Sequence, residues 1–261
     1  MKPAVITIAG ISGRFNDGVP EPDHRHKIIY YEDDPRDTLL YHLLVKCGSY
    51  DRIILVGGSR YSDVERYCEG LPGSIQDRVS LVYNDHYSDL ASGYSLYLGL
   101  KSLFDDADTD SIEEVLFVEG DLDIDDASFA KVTGHAGNVL TYSYEPIYAN
   151  KAVVLYRDAA GRYKYAFNSS HGLLSIDEPF SLILNSGQLW KFRYADRLKN
   201  ANDRFFAEDR SGTNLKIIQN YVDLCDSDDF ELIGLREWTN CNTREDYGRI
   251  KRRWESLLRP E

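Results

Sequence analysis

The stretch Val5-Ile6-Thr7-Ile8-Ala9-Gly10-Ile11-Ser12-Gly13-Arg14 decides how this chain of 261 residues folds. Its first five residues are apolar or β-branched, which predicts a short buried strand that runs directly into a Gly-rich turn. Backbone N–H groups in such a turn can approach a phosphate group closely, and Arg14 could bind a triphosphate through two hydrogen bonds. The turn matches neither GxGxxG nor GxxxxGK[ST], so by itself it is as compatible with a surface turn as with a phosphate-binding loop.

Apolar runs alternate with helical patterns through the first half of the chain. Residues 39–47 and 89–104 carry apolar side chains at helical spacing, and three further runs are typical of buried strands: 52–58, 79–84 and 114–121. Strands that alternate with helices predict an α/β fold with a mostly parallel, doubly wound sheet and helices on both faces. Ligands bind beside the carboxyl ends of the strands in such sheets, so we expect the Gly-rich and acidic loops at one edge.

The pattern changes after Asn138, where short strands joined by turns predict an antiparallel extension on the substrate side of the sheet. We expect strands at 139–148, 152–156, 163–168 and 230–235, and helices at 194–206, 214–224 and 246–258. The simplest organisation is a single domain over 1–261. It would consist of a nucleotide-binding part (1–137), a substrate-side elaboration (138–237) and a closing segment (238–261).

Composition excludes several classes of function. The net charge is −13, from 43 acidic and 30 basic residues, which argues against nucleic acid or an anionic membrane as the main partner. The sequence contains no apolar run of the roughly 18 residues that a spanning helix needs, and the apolar run at the N-terminus is too short for a signal sequence. We therefore expect a cytoplasmic protein. Its four cysteines form no CxxC pair, which predicts reduced thiols without a shared role.

The second chemical motif is the acidic loop Val118-Glu119-Gly120-Asp121-Leu122-Asp123-Ile124-Asp125-Asp126. Carboxylates at the end of a strand are the ligands that Mg²⁺ prefers, together with the phosphates of a substrate. The alternative is an acidic turn that caps the next helix through Asp125 or Asp126. Lys27 could provide a second cation for phosphate, although a solvated surface lysine is the better interpretation of this residue by itself. The neighbouring His24 and His26 lack further metal ligands nearby.

The order of these motifs resembles the nucleotidyltransferases with the glycosyltransferase-A-like fold, which is a nucleoside-diphosphate-sugar transferase-like architecture. These proteins begin with a strand and AGxGxR or AGxSxR, followed by a lysine, a strand that ends in GD, and a late Asn or Asp. The corresponding segments here are Ala9 to Arg14, then Lys27, Glu119-Gly120-Asp121, and Trp238 to Tyr247. One departure is that the usual Pro-Lys pair is His26-Lys27.

The segment from Asn84 to Tyr97 is similar to the base-recognition segment of the phosphocholine-type cytidylyltransferases, with Ser92-Gly93 in place of Asn-Asn. The resemblance implies that Asp121 and Asn242 hold Mg²⁺ and that Arg14 and Lys27 are the catalytic cations. It also implies a set of nucleotide-binding residues: Ala9, Gly10, Ser12, Gly13, Arg14, Ser92, Gly93 and Glu119. The alternative for residues 92–97 is a helix start that packs its aromatic side chains into the core.

The function that this resemblance implies is Mg²⁺-dependent transfer of CMP from CTP to a small phosphorylated alcohol or phosphonate, with release of pyrophosphate. Candidate acceptor-binding residues are Lys151, Tyr148 and Trp190, although an exposed turn lysine and a core tryptophan are the ordinary alternatives. A sugar-1-phosphate nucleotidyltransferase is the second reading. A glycosyltransferase that uses Asp121-Leu122-Asp123 as a DxD motif is the third. The sequence does not identify the acceptor, and it is compatible with a homodimer.

Overall fold

The computed structural model describes residues 1–148, 153–167 and 174–257. Its strands are β1 Pro3–Ile8, β2 Arg52–Gly57, β3 Val79–Tyr83, β4 Val115–Glu119, β5 Leu122–Ile124, β6 Asn138–Ser143, β7 Val153–Asp158, β8 Tyr163–Phe167, β9 Phe180–Phe192, β10 Phe230–Leu235 and β11 Trp238–Asn240. Its helices are α1 Leu39–Lys46, α2 Tyr61–Glu69, α3 Gly73–Gln76, α4 Ser92–Asp106, α5 Asp126–Gly134, α6 Ala195–Glu208, α7 Asn214–Val222 and α8 Arg244–Leu257.

The main sheet has the order β10-β6-β9-β4-β1-β2-β3, with β7 and β8 attached through β9. Strand β1 pairs in parallel with β2 and β4, and β2 pairs in parallel with β3. The four strands predicted in the first half therefore form one parallel unit, and the α/β fold class is confirmed. Their carboxyl ends meet at one edge, as the pattern of Gly-rich and acidic loops predicted.

The second half of the chain joins this unit through antiparallel pairing. Strand β9 runs antiparallel to β4, β6 and β7, and β7 runs antiparallel to β8. The predicted strand over 139–148 is shorter than expected and ends at Ser143, three residues before Pro146, which cannot donate a ladder hydrogen bond. The 13-residue length of β9 was not predicted.

Helices cover both faces of the sheet. Neighbouring side chains of β1 point to opposite faces, and since they are apolar on both, each face must be covered. Ala4, Ile6 and Ile8 pack in a core that includes residues of α1, α2, α5 and α8, whereas Val5 packs in a second core with residues of α4, α6 and α7. All four cysteines are free thiols. Across the described ranges, the helices are too short or too polar to cross a membrane.

His42 on α1 predicts a specific pH dependence of stability. Its ring stacks on Trp254 at 3.7 Å between centroids, and burial, followed by the charge of Lys46, lowers the pKa of His42 to about 4. The unfolded chain, with an ordinary pKa near 6.5, binds this proton at a higher pH than the folded chain does. The contribution of the neutral His42 ring to the free energy of unfolding is therefore complete above about pH 6.5 and is lost as the pH falls towards 4.

We expect the substitution His42→Phe, which keeps an aromatic ring against Trp254, to flatten the acid dependence of the free energy of unfolding. The difference between the pH profiles of the two proteins should reach up to about 3 kcal/mol by pH 4. Urea unfolding at pH values from 7.5 to 4 measures it. Parallel profiles would show that His42 titrates alike in the folded and unfolded chains.

Candidate active site

The edge formed by the carboxyl ends of β1 and β4 carries both predicted motifs. The Gly-rich loop follows β1. Asp121 follows β4, and between them Gly120 lies close to the backbone of β1. A Cβ atom at Gly120 would lie 2.3 Å from Ile8 Cγ2, and the Gly120 N–H donates to the Thr7 carbonyl oxygen at 3.0 Å. Only glycine fits there, and its small size places Asp121 beside the Gly-rich loop.

Four of the predicted catalytic and metal-binding residues meet at this edge in one polar network. Lys27 Nζ donates to Asp121 Oδ2 at 2.7 Å and to Asn242 Oδ1 at 3.4 Å, and Arg14 donates to the same Asn242 oxygen at 2.7 Å. These residues come from three segments separated by about a hundred residues each. The alternative of a solvated surface Lys27 is wrong, since its side chain is only 14% exposed.

The Gly-rich loop leaves open space in front of its backbone. A Cβ atom added at Gly10 or Gly13 would meet no atom of the described residues within 4 Å. Neither glycine has a φ angle in the left-handed region that favours glycine, so neither packing nor backbone conformation explains them. The missing side chains instead leave room for a ligand to approach the amides. Ser12 adopts a left-handed φ of 60°, and its hydroxyl accepts the Lys27 N–H at 3.2 Å.

Asn16, which the sequence did not single out, holds the Gly-rich loop against the segment that carries Lys27. It is buried, it accepts the Arg25 N–H at 2.9 Å, and it donates to the carbonyl oxygens of Ser12 and Arg25 at 3.0 and 2.8 Å. This side chain completes the hydrogen bonds of both loop backbones. An isolated Asn in a polar loop has no sequence pattern that would reveal such a role.

His26 occupies the position at which the sequence departs from the usual Pro-Lys pair. The imidazole is 2% exposed, and its Nε2 lies 2.9 Å from the Ile8 carbonyl oxygen. Burial lowers the pKa of His26 to about 4, so the ring is neutral at pH 7 and Nε2–H donates to Ile8. His26 therefore anchors the loop to the end of β1 by a hydrogen bond, which replaces the conformational restriction of a proline.

A cavity of about 220 Å³ opens beside this network. Among its lining residues are six that the sequence predicted for the site: Ala9, Gly10, Lys27, Ser92, Glu119 and Asp121. Asn84, the first residue of the predicted base-recognition segment, is also part of the wall. Asn84 is buried and donates to Ser95 Oγ at 2.9 Å, so the start of this segment is fixed against α4.

Gly93 is placed differently from the prediction. A Cβ atom there would lie 2.4 Å from the Gly212 carbonyl oxygen and 2.6 Å from the Phe205 ring. Gly93 is thus required for packing against the segment between α6 and α7, and it lies outside the lining of the cavity. This packing explains the glycine without a ligand, and its assignment as a nucleotide-binding residue stays a prediction. Ser92 does reach the cavity wall, and its hydroxyl donates to Asn214 Oδ1 at 3.3 Å.

Glu119 is held by two residues that the sequence analysis missed. Its carboxylate accepts from Asn214 Nδ2 at 2.7 Å and from Gln188 Nε2 at 3.2 Å. Burial, followed by the charge of Asp121, raises the pKa of Glu119 to about 7. Gln188 has a left-handed φ of 55°, which is unusual for this residue type and directs it to the site. Neither residue belongs to a local motif, so only the fold reveals them.

The residues present fit a magnesium ion. Asp121 Oδ1 is buried and has no hydrogen-bond partner among the described residues, a costly arrangement unless a ligand completes it. The Asn242 backbone is fixed by Asp246, which accepts its N–H at 3.0 Å. No group of three or more His, Cys, Asp or Glu side chains suited to a metal occurs in the described ranges. Mg²⁺ often needs only one or two protein ligands besides phosphates and water.

The second aspartate of the possible DxD motif points into the core. Asp123 is 3% exposed, pairs with Arg253, and accepts the Trp254 indole N–H at 3.1 Å. It therefore joins α8 to strand β5 and is occupied by structural contacts. The prediction that the end of the acidic loop caps the next helix is confirmed for Asp125, which accepts the Ser128 N–H at 2.8 Å at the start of α5.

A second cavity, of about 600 Å³, is lined by Arg14 and Asn242 among other residues. Tyr148 lines it, in the position expected of an acceptor-binding residue. Trp190, in contrast, is fully buried, stacks on Phe117 and donates to the Tyr165 hydroxyl at 2.7 Å. Its assignment as a substrate-binding residue is wrong, because strand β9 directs it into the core. Lys151 lies outside the described residues.

Comparisons with known proteins agree with this architecture. The model of a family described as a domain of unknown function, DUF6564, matches residues 23–254. A search of curated protein sequences finds no significant match. Among solved structures, the inositol-1-phosphate CTP transferase from T. maritima is 15% identical, with a TM-score of 0.65 over 96% of this chain and 95% of that chain.

Two further structures are similar over almost their whole length. The CTP:phosphocholine cytidylyltransferase from Streptococcus pneumoniae is 16% identical, with a TM-score of 0.62 over 99% of both chains. A UDP-glucose pyrophosphorylase complexed with UDP-glucose is 11% identical, with a TM-score of 0.65 over 98% of this chain and 99% of that chain. At these identities the similarity shows a shared fold, that of the nucleotide-sugar transferase-like proteins.

Proposed function

The chain belongs to the DUF6564 family, and we propose that it is a magnesium-dependent nucleotidyltransferase. The observation that carries the proposal is the network in which Asn242 joins Arg14 to Lys27 and Lys27 pairs with Asp121. Members of this network line two cavities, Lys27 and Asp121 the one of about 220 Å³, and Arg14 and Asn242 the one of about 600 Å³. A nucleotide and an acceptor bound in these two cavities would both be close to the network. Solved structures of the same fold include a CTP transferase and a UDP-glucose pyrophosphorylase.

In the reaction that we propose, an acceptor phosphate or phosphonate oxygen attacks the α-phosphorus of a nucleoside triphosphate. The bond to the bridging oxygen of pyrophosphate breaks, and pyrophosphate leaves. The acceptor oxygen is already anionic at neutral pH, so no general base is required. The protein must bring two anions together and stabilise the charge on the α-phosphoryl oxygens, and Arg14 and Lys27 are placed to do both.

Asp121 and Asn242 are the residues that would hold Mg²⁺ in this site. When bound, the ion would neutralise phosphate charge and fix the orientation of the triphosphate. Lys27 bridges the two side chains with its ammonium group, so the same two oxygens already contact one cationic group. The Gly-rich loop would supply amide donors to the β- and γ-phosphates.

We propose cytosine as the preferred base and a small phosphorylated alcohol or phosphonate as the acceptor. Ser92, Asn84 and the half-buried Glu119 offer hydrogen-bonding groups in the smaller cavity. Two of the similar structures use CTP by their names. A sugar-1-phosphate nucleotidyltransferase is the second candidate, since the UDP-glucose pyrophosphorylase has the same fold. The burial of Asp123 disfavours a glycosyltransferase with a DxD metal site.

Pyrophosphate release tests both the reaction and the choice of base. We expect release from CTP with Mg²⁺ and one of phosphocholine, aminoethylphosphonate, glycerol phosphate or inositol 1-phosphate. We expect kcat/KM for CTP to exceed that for UTP by more than the 10–200-fold that shape alone provides, because a mispaired base leaves buried polar groups without partners. Equal or higher values for UTP or dTTP with a sugar 1-phosphate would favour the second candidate. No release with any pair of nucleotide and acceptor would contradict the proposal.

A further inference from the structure

Another cavity, of about 740 Å³, lies beside the catalytic one, between the loop residues 25–36 and helix α2. Its volume falls in the range of small-molecule pockets, roughly 300–1,000 Å³. The described residues that line it include four arginines and one carboxylate: Arg25, Arg36, Arg60, Arg66 and Asp63. In a chain with a net charge of −13, this concentration of positive charge attracts an anion.

Most of the guanidinium donors on this wall remain available. Arg60 and Arg66 share Asp63, each through one nitrogen, at 3.4 and 3.2 Å. Arg25 donates to backbone carbonyl oxygens at 3.2 and 2.9 Å. Arg36 pairs with Asp34 through Nε at 3.1 Å and one terminal nitrogen at 2.6 Å, which leaves its other terminal nitrogen unpaired among the described residues. Each guanidinium carries five N–H donors in a fork that matches phosphate oxygens. Four arginines from two segments therefore keep N–H donors for one polyphosphate.

Tyrosine rings form another part of the wall, from Tyr30, Tyr31, Tyr41 and Tyr67. The Tyr67 hydroxyl is fixed at 2.7 Å from both the Pro35 carbonyl oxygen and Thr38 Oγ1, so its ring is a rigid surface. Tyr31 lines the cavity and is 43% exposed, so a ligand can reach it. Aromatic and guanidinium planes side by side bind a planar base by stacking while the cations bind its phosphates.

We propose that this cavity is a second binding site, and that its ligand is a nucleoside polyphosphate. Its arginines contact the phosphates and its tyrosines stack on the base. The site is separate from the catalytic cavity, with His26 forming a wall of both. Arg25, a cation of this second site, and Lys27, a cation of the catalytic cavity, flank His26 in the chain. The proposal concerns binding alone and does not depend on nucleotidyl transfer.

Isothermal titration with ATP and with inorganic triphosphate, in buffer free of divalent metals, tests this second site. The protein to use is the variant R14A/K27A, in which the catalytic cavity has lost its cations. We expect this variant to bind one ATP, and we expect R36S and R66S, added together, to lower that affinity at least about tenfold, as two charge-assisted hydrogen bonds would. Adding R204S instead, an exposed arginine on α6, should change nothing.

The contact between the tyrosines and the base is tested by comparing ATP with inorganic triphosphate. Tyr31→Ala in the same background should weaken ATP and leave inorganic triphosphate unchanged, and ATP should bind more tightly than triphosphate. Thermal unfolding confirms that each variant is folded. Absence of ATP binding to R14A/K27A, or unchanged affinity after R36S and R66S, would overturn the proposal. Equal affinity for ATP and triphosphate would overturn the assignment to a nucleotide.

Discussion

Asp121→Ala is expected to abolish turnover while the protein stays folded. Asp121 lies at the end of β4 with one carboxylate oxygen buried and unpartnered among the described residues, and the other bound by Lys27. If Mg²⁺ binds there, the variant loses an anionic ligand in the position where the ion meets the triphosphate. A metal ion stabilises the transition state by several kcal/mol, so kcat should fall at least about a thousandfold.

Two further variants separate this role from a structural one. Asp121→Asn keeps an oxygen for Lys27 and removes only the charge, so its loss of activity should approach that of Asp121→Ala. Asp126→Asn is the matched control, because Asp126 belongs to the same acidic loop but is 85% exposed. It should keep wild-type activity. Pyrophosphate release as a function of Mg²⁺ concentration measures all three, and wild-type rates for Asp121→Ala at saturating Mg²⁺ would remove Asp121 from the site.

The parallel part of the sheet and the centre of the site could be predicted because they follow local rules. Strands β1 and β4 are continuous apolar runs, and the carboxyl ends of parallel strands share an edge. The loops that follow these strands must therefore lie at the same edge, irrespective of the sequence between them. This is why Arg14 and Asp121 could be expected at one edge, whereas Lys27 was assigned to the site only through the family resemblance.

The remaining parts of the site depend on contacts that no local pattern encodes. Trp190 was misassigned because its burial decides its role, and burial is a property of the packed chain. Helix α2 was missed since it buries only Val64 and Cys68, too few for a clear apolar stripe. Gln188 reaches Glu119 only because β9 runs antiparallel beside β4. Such a long-range strand pairing cannot be inferred from residue spacing.

Arg14→Ala and Lys27→Ala are each expected to lower kcat/KM for nucleotidyl transfer at least about a hundredfold. Both cations face the place where we propose that phosphate charge develops. Loss of one charge-stabilising donor costs roughly 3–4 kcal/mol of transition-state energy. Lys27→Ala should have the larger effect of the two, because its ammonium group contacts both Asp121 and Asn242, whereas Arg14 contacts only Asn242 in this network.

The two substitutions should also differ in their dependence on substrate. Arg14 lines the larger cavity and Lys27 the smaller one, so Arg14→Ala should raise KM for the acceptor and Lys27→Ala should raise KM for CTP, besides their effects on kcat. Lys199→Ala and Arg204→Ala, which remove exposed cations on α6, control for the general loss of positive charge. Steady-state kinetics with each substrate varied in turn measure these constants. If Lys27→Ala keeps kcat/KM within about threefold of the wild-type value, the alignment through His26-Lys27 is wrong and Lys27 only neutralises Asp121.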